Sequence, residues 1–185
     1  IPGLRDHLEH VASLRDYPAP KLHGLLNRAL SAAGSTRPER AFAIRRNPAT
    51  EQVTVTTDAD RLSQVFINII SNARKYCDAA EPELRIVARR KGQRMQVDFI
   101  DNGAGIPKES EALIFEKFSR LTDETRAGGA GLGLAICREI MQNLGGDITY
   151  LPGRGAGFRV SFPIRLDPLP RAAAAATPAL ASTQS

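Results

Sequence analysis

Two glycine-rich segments enclose a polar loop in the middle of this 185-residue chain. Residues 101–107 read DNGAGIP, and residues 128–136 read GGAGLGLAI. Closely spaced glycines let a backbone turn sharply or lie against a ligand, because no Cβ intervenes. The second segment also opens an apolar-periodic run, so its free N–H groups would lie at a helix N-terminus, where phosphate binds readily. The pair indicates a nucleotide site, and two tight turns around a surface loop are the simpler alternative.

A polar edge of one helix offers the ligands that such a site needs. The edge consists of Gln64, Asn68, Asn72 and Lys75, at spacings of four, four and three. These spacings place the four side chains along one edge of a helix. Asparagine is a mediocre helix former, so two aligned with a lysine indicate a function. Asn72 and Asn68 could give oxygen to a Mg²⁺ that otherwise keeps water and phosphate ligands, and Lys75 could hold phosphate.

Asp101 stands where a predicted strand meets the first glycine segment. The alternate residues 95, 97 and 99 are apolar, and side chains of a strand alternate between its faces. The carboxylate therefore emerges on the covered face of the sheet. There it can accept a hydrogen bond from the exocyclic amine of adenine, where guanine has a carbonyl. The N–H groups near Gly131 and Gly133 could hold the phosphates.

The elements that must position these residues follow from hydrophobic periodicity. Helices are predicted at residues 22–33, from the N-cap Asp58 through the stripe that ends at Ala73, and at 132–144 with Gly145 and Gly146 as a C-terminal cap. A pair of strands is predicted at 41–46 and 52–56, and further strands at 84–90, 95–101, 148–151 and 158–162.

Both ends of the chain differ from this central part. Residues 3–17 carry a narrow apolar stripe that suits a partner helix, and we assign residues 1–17 to the end of a dimerisation helix. Residues 18–166 form the predicted globular domain. Residues 167–185 are rich in proline, alanine and Ser/Thr, which predicts a disordered tail.

Composition narrows the class of protein. The net charge is +5, but the basic residues are scattered and few aromatics lie among them, so nucleic-acid binding is not indicated. Two cysteines, Cys77 and Cys137, suit a reducing compartment and cannot form a zinc site alone. No apolar run reaches membrane-spanning length, and no signal peptide opens the chain. We therefore expect a cytoplasmic domain without direct membrane contact.

Four motifs in order resemble those of sensor histidine kinases. Residues 68–76 (NIISNARKY) are similar to the N box of that family, and residues 101–105 (DNGAG) to its first glycine box. Residues 115–118 (FEKF) resemble the F box, and residues 129–134 (GAGLGL) the second glycine box. The resemblance implies the catalytic ATP-binding domain of a two-component kinase.

The fold implied by this resemblance is the Bergerat-type α/β fold. It is a two-layer sandwich of a mixed β-sheet with helices on one face, here preceded by a short helical segment. ATP would lie under a lid that spans roughly residues 107–130.

The resemblance also assigns roles, with ATP and Mg²⁺ as ligands. Catalytic roles fall on Asn68, Lys75 and Arg120, and metal binding falls on Asn72 with help from Asn68. Asp101 would bind the adenine amine, and Tyr76 would border the base. The other nucleotide contacts and lid anchors are Gly103, Gly105, Ile106, Phe115, Phe118, Gly129, Gly131, Leu132 and Gly133. Ala130 and Cys77 stand where the family often has a hydroxyl side chain.

The implied enzyme is a protein-histidine kinase. It would transfer the γ-phosphate of Mg-ATP to a histidine on a dimerisation domain upstream of this chain, for relay to a response regulator, in a homodimeric full-length protein. His7, His10 and His23 lack the acidic residue that follows the acceptor histidine in the family. We therefore expect that the isolated chain does not phosphorylate itself.

Three other functions stay open. A gyrase-like ATPase of the same fold typically has glutamate at the position of Asn68 as a general base, and an amide cannot take a proton at neutral pH. Protein-serine kinases of this fold generally lack the F box, whereas Phe115 and Phe118 are present here. A pseudokinase that binds ATP only as a scaffold is not distinguished by sequence.

Overall fold

The computed structural model describes residues 19–34, 41–116, 133–153 and 155–165. Its helices are α1 (Leu22–Gly34), α2 (Ala59–Tyr76) and α3 (Gly133–Asn143). Its strands are β1 (Ala43–Arg46), β2 (Glu83–Lys91), β3 (Arg94–Asp101), β4 (Asp147–Leu151) and β5 (Gly157–Pro163). Short 3₁₀ turns lie at Pro48–Glu51 and Lys108–Ser110. The helix predicted at residues 3–17 and the tail predicted at 167–185 fall outside the described residues.

The five strands form one mixed sheet in the order β1-β2-β3-β5-β4. β1 pairs in parallel with β2, and the other pairings are antiparallel. Alternate residues of the central strands are buried, among them Leu84 and Ile86 of β2, Val97 and Phe99 of β3, and Val160 and Phe162 of β5. Because they belong to one core with the buried stripes of the helices, the helices cover one face. The predicted two-layer α/β fold is confirmed.

Helix α2 is the centre of the helical layer. It begins where the sequence predicts, because the Asp58 side chain accepts from the Arg61 N–H at 3.2 Å and caps the first turn. Its buried Phe66 ring lies 5.4 Å from the ring of Phe99 and 6.4 Å from that of Phe162. Burial of one such ring contributes on the order of 2 kcal/mol. None of the helices in the described ranges is both long and apolar enough to cross a membrane.

Helix α3 ends on the predicted glycine cap. Gly145 has φ +74°, in the left-handed region that favours glycine. Its N–H donates to the Gln142 carbonyl at 3.1 Å, while the Gly146 N–H donates to the Met141 carbonyl at 2.8 Å. These two bonds are those of a Schellman motif. The cap turns the chain directly into β4.

The strand pair predicted at residues 41–46 and 52–56 is wrong in its second member. β1 exists, but it pairs with β2. Residues 52–56 form isolated bridges instead, because their backbone bonds reach the two ends of the domain. The Leu22 N–H donates to the Val53 carbonyl at 2.9 Å, and the Thr56 N–H donates to the Ile164 carbonyl at 2.8 Å. The 3₁₀ turn at Pro48–Glu51 redirects the chain away from β1.

Candidate functional site

The polar edge of α2 is partly accessible and contacts α3. Asn68, Asn72 and Lys75 are all half-buried. The Asn68 Nδ2 donates to the Sγ of Cys137 on α3 at 3.4 Å. The Lys75 ammonium lies 5.0 Å from the ring centroid of Tyr76, which is 48% exposed. This part of α2 therefore carries two half-buried amides, a cation and a partly exposed aromatic ring.

Asp101 ends β3 as a buried carboxylate, 6% exposed. Its Oδ1 accepts from the Gly103 N–H at 2.8 Å and from the Ala156 N–H at 3.1 Å. Within the described part of the chain, both side-chain hydrogen bonds thus fall on one oxygen. The fold holds the carboxylate through Oδ1, and neither of these two hydrogen bonds falls on Oδ2. The predicted placement of Asp101 on the covered face is confirmed.

The first glycine turn is fixed against the C-terminal end of α2. The Asp78 Oδ1 accepts from the Ala104 N–H at 2.9 Å. A Cβ on Gly103 would lie 3.0 Å from that oxygen and 3.2 Å from the Asp101 Oδ1, so a side chain there would displace one of the two carboxylates. The structure therefore brings the turn that carries Asp101 beside the helix that carries Asn72. Asp78 was missed by the sequence analysis.

Asn102 fixes the same turn to the start of β2. Its Oδ1 accepts from the Glu83 N–H at 2.8 Å, and its Nδ2 donates to the Glu81 carbonyl at 2.9 Å. The Cys77 Sγ lies 3.4 Å from the Asn102 Oδ1, and Cys77 is 2% exposed. Cys77 therefore packs beneath the turn rather than lining an open surface.

A third glycine segment completes the turn from the other side. Gly105 has φ +82° and Gly155 has φ +83°. A Cβ on Gly155 would overlap the backbone carbonyl of Asp101, and one on Gly105 would lie 2.9 Å from the Gly155 oxygen. The Ile106 N–H donates to the Tyr150 Oη at 3.2 Å. Gly155 and Tyr150 were missed, although glycines at 153, 155 and 157 were a usable signal.

Phe115 is packed at the front end of the predicted lid. Its ring meets the Phe158 ring edge-on at 6.3 Å, and the Arg138 guanidinium lies 3.9 Å from its centroid. Arg138 also donates to the Ile148 carbonyl at 3.2 Å. The first part of the F box is thereby joined to α3 and β4. Gly133 is the first residue of α3. The other predicted lid and phosphate residues, Phe118, Arg120, Gly129, Gly131 and Leu132, lie outside the described residues.

The amide side chains of α2 carry the kind of oxygen that Mg²⁺ accepts from a protein. In the part of the chain that the structure describes, no three His, Cys, Asp or Glu side chains are grouped as metal ligands. Mg²⁺ commonly keeps several waters and takes oxygen from substrate phosphates and one or two protein groups. The amide oxygens of Asn72 and Asn68 match that limited protein contribution.

A mixed sheet with helices on one face and a buried carboxylate in a glycine turn are the features expected of the predicted nucleotide-binding domain. Residues 57–167 match the family described as histidine kinase-, DNA gyrase B-, and HSP90-like ATPase. The chain belongs to this family, and ATP binding follows from membership. The family predicted from the four motifs is confirmed.

Sensor proteins and histidine kinases are among the proteins similar to this chain. The chain is 42% identical to the sensor protein KdpD of Escherichia coli (strain K12) over 116 residues, which are 62% of this chain and 13% of KdpD. The mycobacterial sensor histidine kinase MprB superposes with a TM-score of 0.67 at 22% identity, covering 80% of this chain and 99% of that structure. Full-length ShkA in complex with AMPPNP gives a TM-score of 0.63 at 26% identity, covering 85% of this chain and 34% of that structure.

Proposed function

We propose that this domain binds Mg-ATP and transfers its γ-phosphate to a histidine of a dimerisation domain, for relay to a response regulator. The observation that carries the proposal is Asp101, a buried carboxylate with one oxygen engaged by two backbone N–H groups. The chain spans only 13% of KdpD, so we propose the transfer for this domain acting together with a dimerisation domain. Residues 1–17 would end its dimerisation helix, and residues 18–166 would form the catalytic domain.

The adenine end of the site would be built from the glycine turn. Asp101 Oδ2 would accept from the exocyclic amine of adenine, and Tyr76 would border the ring. Gly103, Gly105 and Ile106 would let the base approach the backbone, because the turn is already held by its neighbours. The AMPPNP complex of the similar ShkA supports nucleotide binding by this fold.

The phosphate end would be built from the edge of α2 and the N-terminus of α3. Asn72, with help from Asn68, would give oxygen to Mg²⁺, which neutralises phosphate charge when bound. Lys75 would contact phosphate, and N–H groups at the start of α3 from Gly133 would add to this. Arg120 would lie near the γ-phosphate. Phe115, Phe118 and residues Gly129, Gly131 and Leu132 would anchor and close the lid.

Transfer to histidine is favoured over hydrolysis by the side chain at position 68. Gyrase-like ATPases would require a general base there, and Asn68 cannot accept a proton at neutral pH. The described histidine, His23, is followed by Gly24 rather than by an acidic residue, and its Nδ1 lies 2.8 Å from Glu51 and 3.0 Å from Arg46. These contacts favour a structural role for His23, whose side chain is 32% exposed.

The test is phosphoryl transfer from γ-labelled ATP. The chain alone should bind Mg-ATP yet stay unlabelled, while a dimerisation domain carrying the upstream histidine should acquire acid-labile phosphate when it is added. An Asp101→Asn variant serves as the control for nucleotide-dependent labelling. Fast hydrolysis by the chain alone would instead indicate a gyrase-like ATPase, and nucleotide binding without any labelling would indicate a pseudokinase. Phosphate on His7, His10 or His23 would contradict the upstream placement of the acceptor.

A further inference from the structure

Cys137 contacts one of the amides of the proposed site. It is fully buried on α3, and its Sγ accepts from the Asn68 Nδ2 at 3.4 Å. The two residues are 69 positions apart in sequence. The bond therefore joins α2 to the helix that follows the second glycine segment.

The Cys137 sulfur is a buried packing group and a weak hydrogen-bond acceptor. Its burial makes a nucleophilic or redox role a poor explanation.

The direction of the bond determines where the amide oxygen lies. Oδ1 and Nδ2 of a carboxamide diverge from the same carbon, so holding Nδ2 against α3 turns Oδ1 away from α3. Without that partner, the half-buried Asn68 could rotate or exchange its two ends. An amide that binds a metal can use only its oxygen.

We propose that Cys137 is a positioning residue that holds the Asn68 carboxamide with its oxygen toward the Mg²⁺ and phosphates of bound ATP. This inference rests on the proposed function, in which Asn68 assists Asn72 in metal binding. Cys137 does not touch the nucleotide. It acts by restricting Asn68 to one orientation, which lowers the entropy lost on binding.

Three variants separate positioning from packing. Cys137→Ser keeps an acceptor at the same atom, whereas Cys137→Val fills the space without one. Ile140→Val, one turn further along α3, removes buried packing (Ile140 is 6% exposed) and leaves the Cys137 thiol in place. Thermal unfolding of all three variants measures the cost of packing alone.

The measured quantity is the gain in ATP affinity caused by magnesium, from calorimetric titrations with and without the metal. A neutral hydrogen bond corresponds to about a two- to tenfold effect, so Cys137→Val should reduce the magnesium gain by that factor. Cys137→Ser and Ile140→Val should retain it. Exchange of the Asn68 side-chain amide hydrogens, followed by NMR without metal or nucleotide, should speed up in Cys137→Val and stay slow in Cys137→Ser.

The outcomes also separate this inference from the proposed function. An unchanged magnesium gain in Cys137→Val, together with a lost gain in Asn68→Ala, would overturn the positioning role while leaving the site intact. Equal losses in the valine and serine variants would reduce Cys137 to packing. A magnesium gain that survives Asn68→Ala would remove Asn68 from metal binding and with it the role of Cys137. A wild-type protein that binds no ATP would contradict the proposed site itself.

Discussion

Replacing Asp101 by asparagine exchanges one oxygen of its carboxylate for an NH₂ group. The retained amide oxygen can still accept from the Gly103 and Ala156 N–H groups, which now bond to Oδ1 at 2.8 Å and 3.1 Å. The new NH₂ group then takes the place of Oδ2. There it meets the adenine amine as donor against donor, which leaves two polar groups unpaired. The expected loss is about 1–3 kcal/mol, or roughly 5- to 150-fold in ATP affinity.

The same strand supplies a matched control in Asp98. It is also buried, 3% exposed, but it lies on the opposite face. Arg159 donates to its two oxygens at 2.8 Å and 2.9 Å, and Arg89 donates to it at 3.1 Å. The hydrogen bond with Asp98 raises the pKa of Arg159. Asp98→Asn should therefore reduce stability by about 1–2 kcal/mol, since both arginines are partly solvated, without changing nucleotide affinity.

Calorimetric titration of the wild type and both variants with ATP and GTP separates the two aspartates, and urea unfolding reports their stability. Asp101→Asn should lose ATP affinity and gain relative affinity for GTP, because its NH₂ can donate to the guanine carbonyl. Wild-type ATP affinity in Asp101→Asn, or equal affinity of the wild type for GTP, would refute the adenine role. A pure stability loss in both variants would make Asp101 a turn residue only.

Three further predictions concern metal, core charge and pH. Asn72→Ala should abolish the magnesium-dependent part of ATP binding with the fold intact, while Gln64→Ala on the same helix edge should not; retained dependence would transfer the role to Asn68. Glu51→Gln should lower the unfolding free energy by about 3 kcal/mol, because Glu51 is fully buried against Arg46. The more exposed pair of Glu83 with Arg45 offers a control. An equal loss of unfolding free energy in Glu83→Gln would contradict this prediction. Burial raises the pKa of the Cys137 thiol from 9.0 to about 11. Its contribution to the unfolding free energy is therefore complete below pH 9 and falls by up to about 3 kcal/mol as the pH rises toward 11. Urea unfolding of Cys137→Val should show a smaller fall, and identical pH profiles would refute the assignment.

The elements that the sequence predicts correctly are those that depend on neighbours in the chain. Asp58 caps α2 through a bond three residues away, and Gly145 ends α3 through bonds within one turn. Periodicity likewise places Asp101 on the covered face. Residues 52–56 fail because alternation alone does not name a partner. Their backbone groups bond to Pro20, Leu22 and Ile164. These residues are far away in the sequence, so no local pattern predicts the bonds.

Within the candidate site, too, the sequence predicts the local features and misses the long-range contacts. The α2 edge and the glycine turn are visible because their spacing carries the signal. Asp78, Tyr150 and Arg138 are not, because each acts across the fold on a backbone group or ring of another segment. Gly155 is intermediate: its glycine spacing was visible, but its need for glycine arises from Asp101, which lies 54 positions earlier in the chain.

The chemistry of the α2 edge favours the proposed acceptor on another domain over water. Asn68 donates to Cys137 through its nitrogen, and its oxygen is not a base at neutral pH. Asn72 has the same limitation, and Lys75 is a cation near the ring of Tyr76. None of these three can deprotonate water, so hydrolysis would lack about 10²–10⁴ in rate. A neutral histidine brings its own nucleophilic nitrogen and needs only to be positioned in line with the γ-phosphate. An edge of two amides and a lysine therefore suits positioning and charge neutralisation, which are the demands of phosphoryl transfer to a supplied histidine.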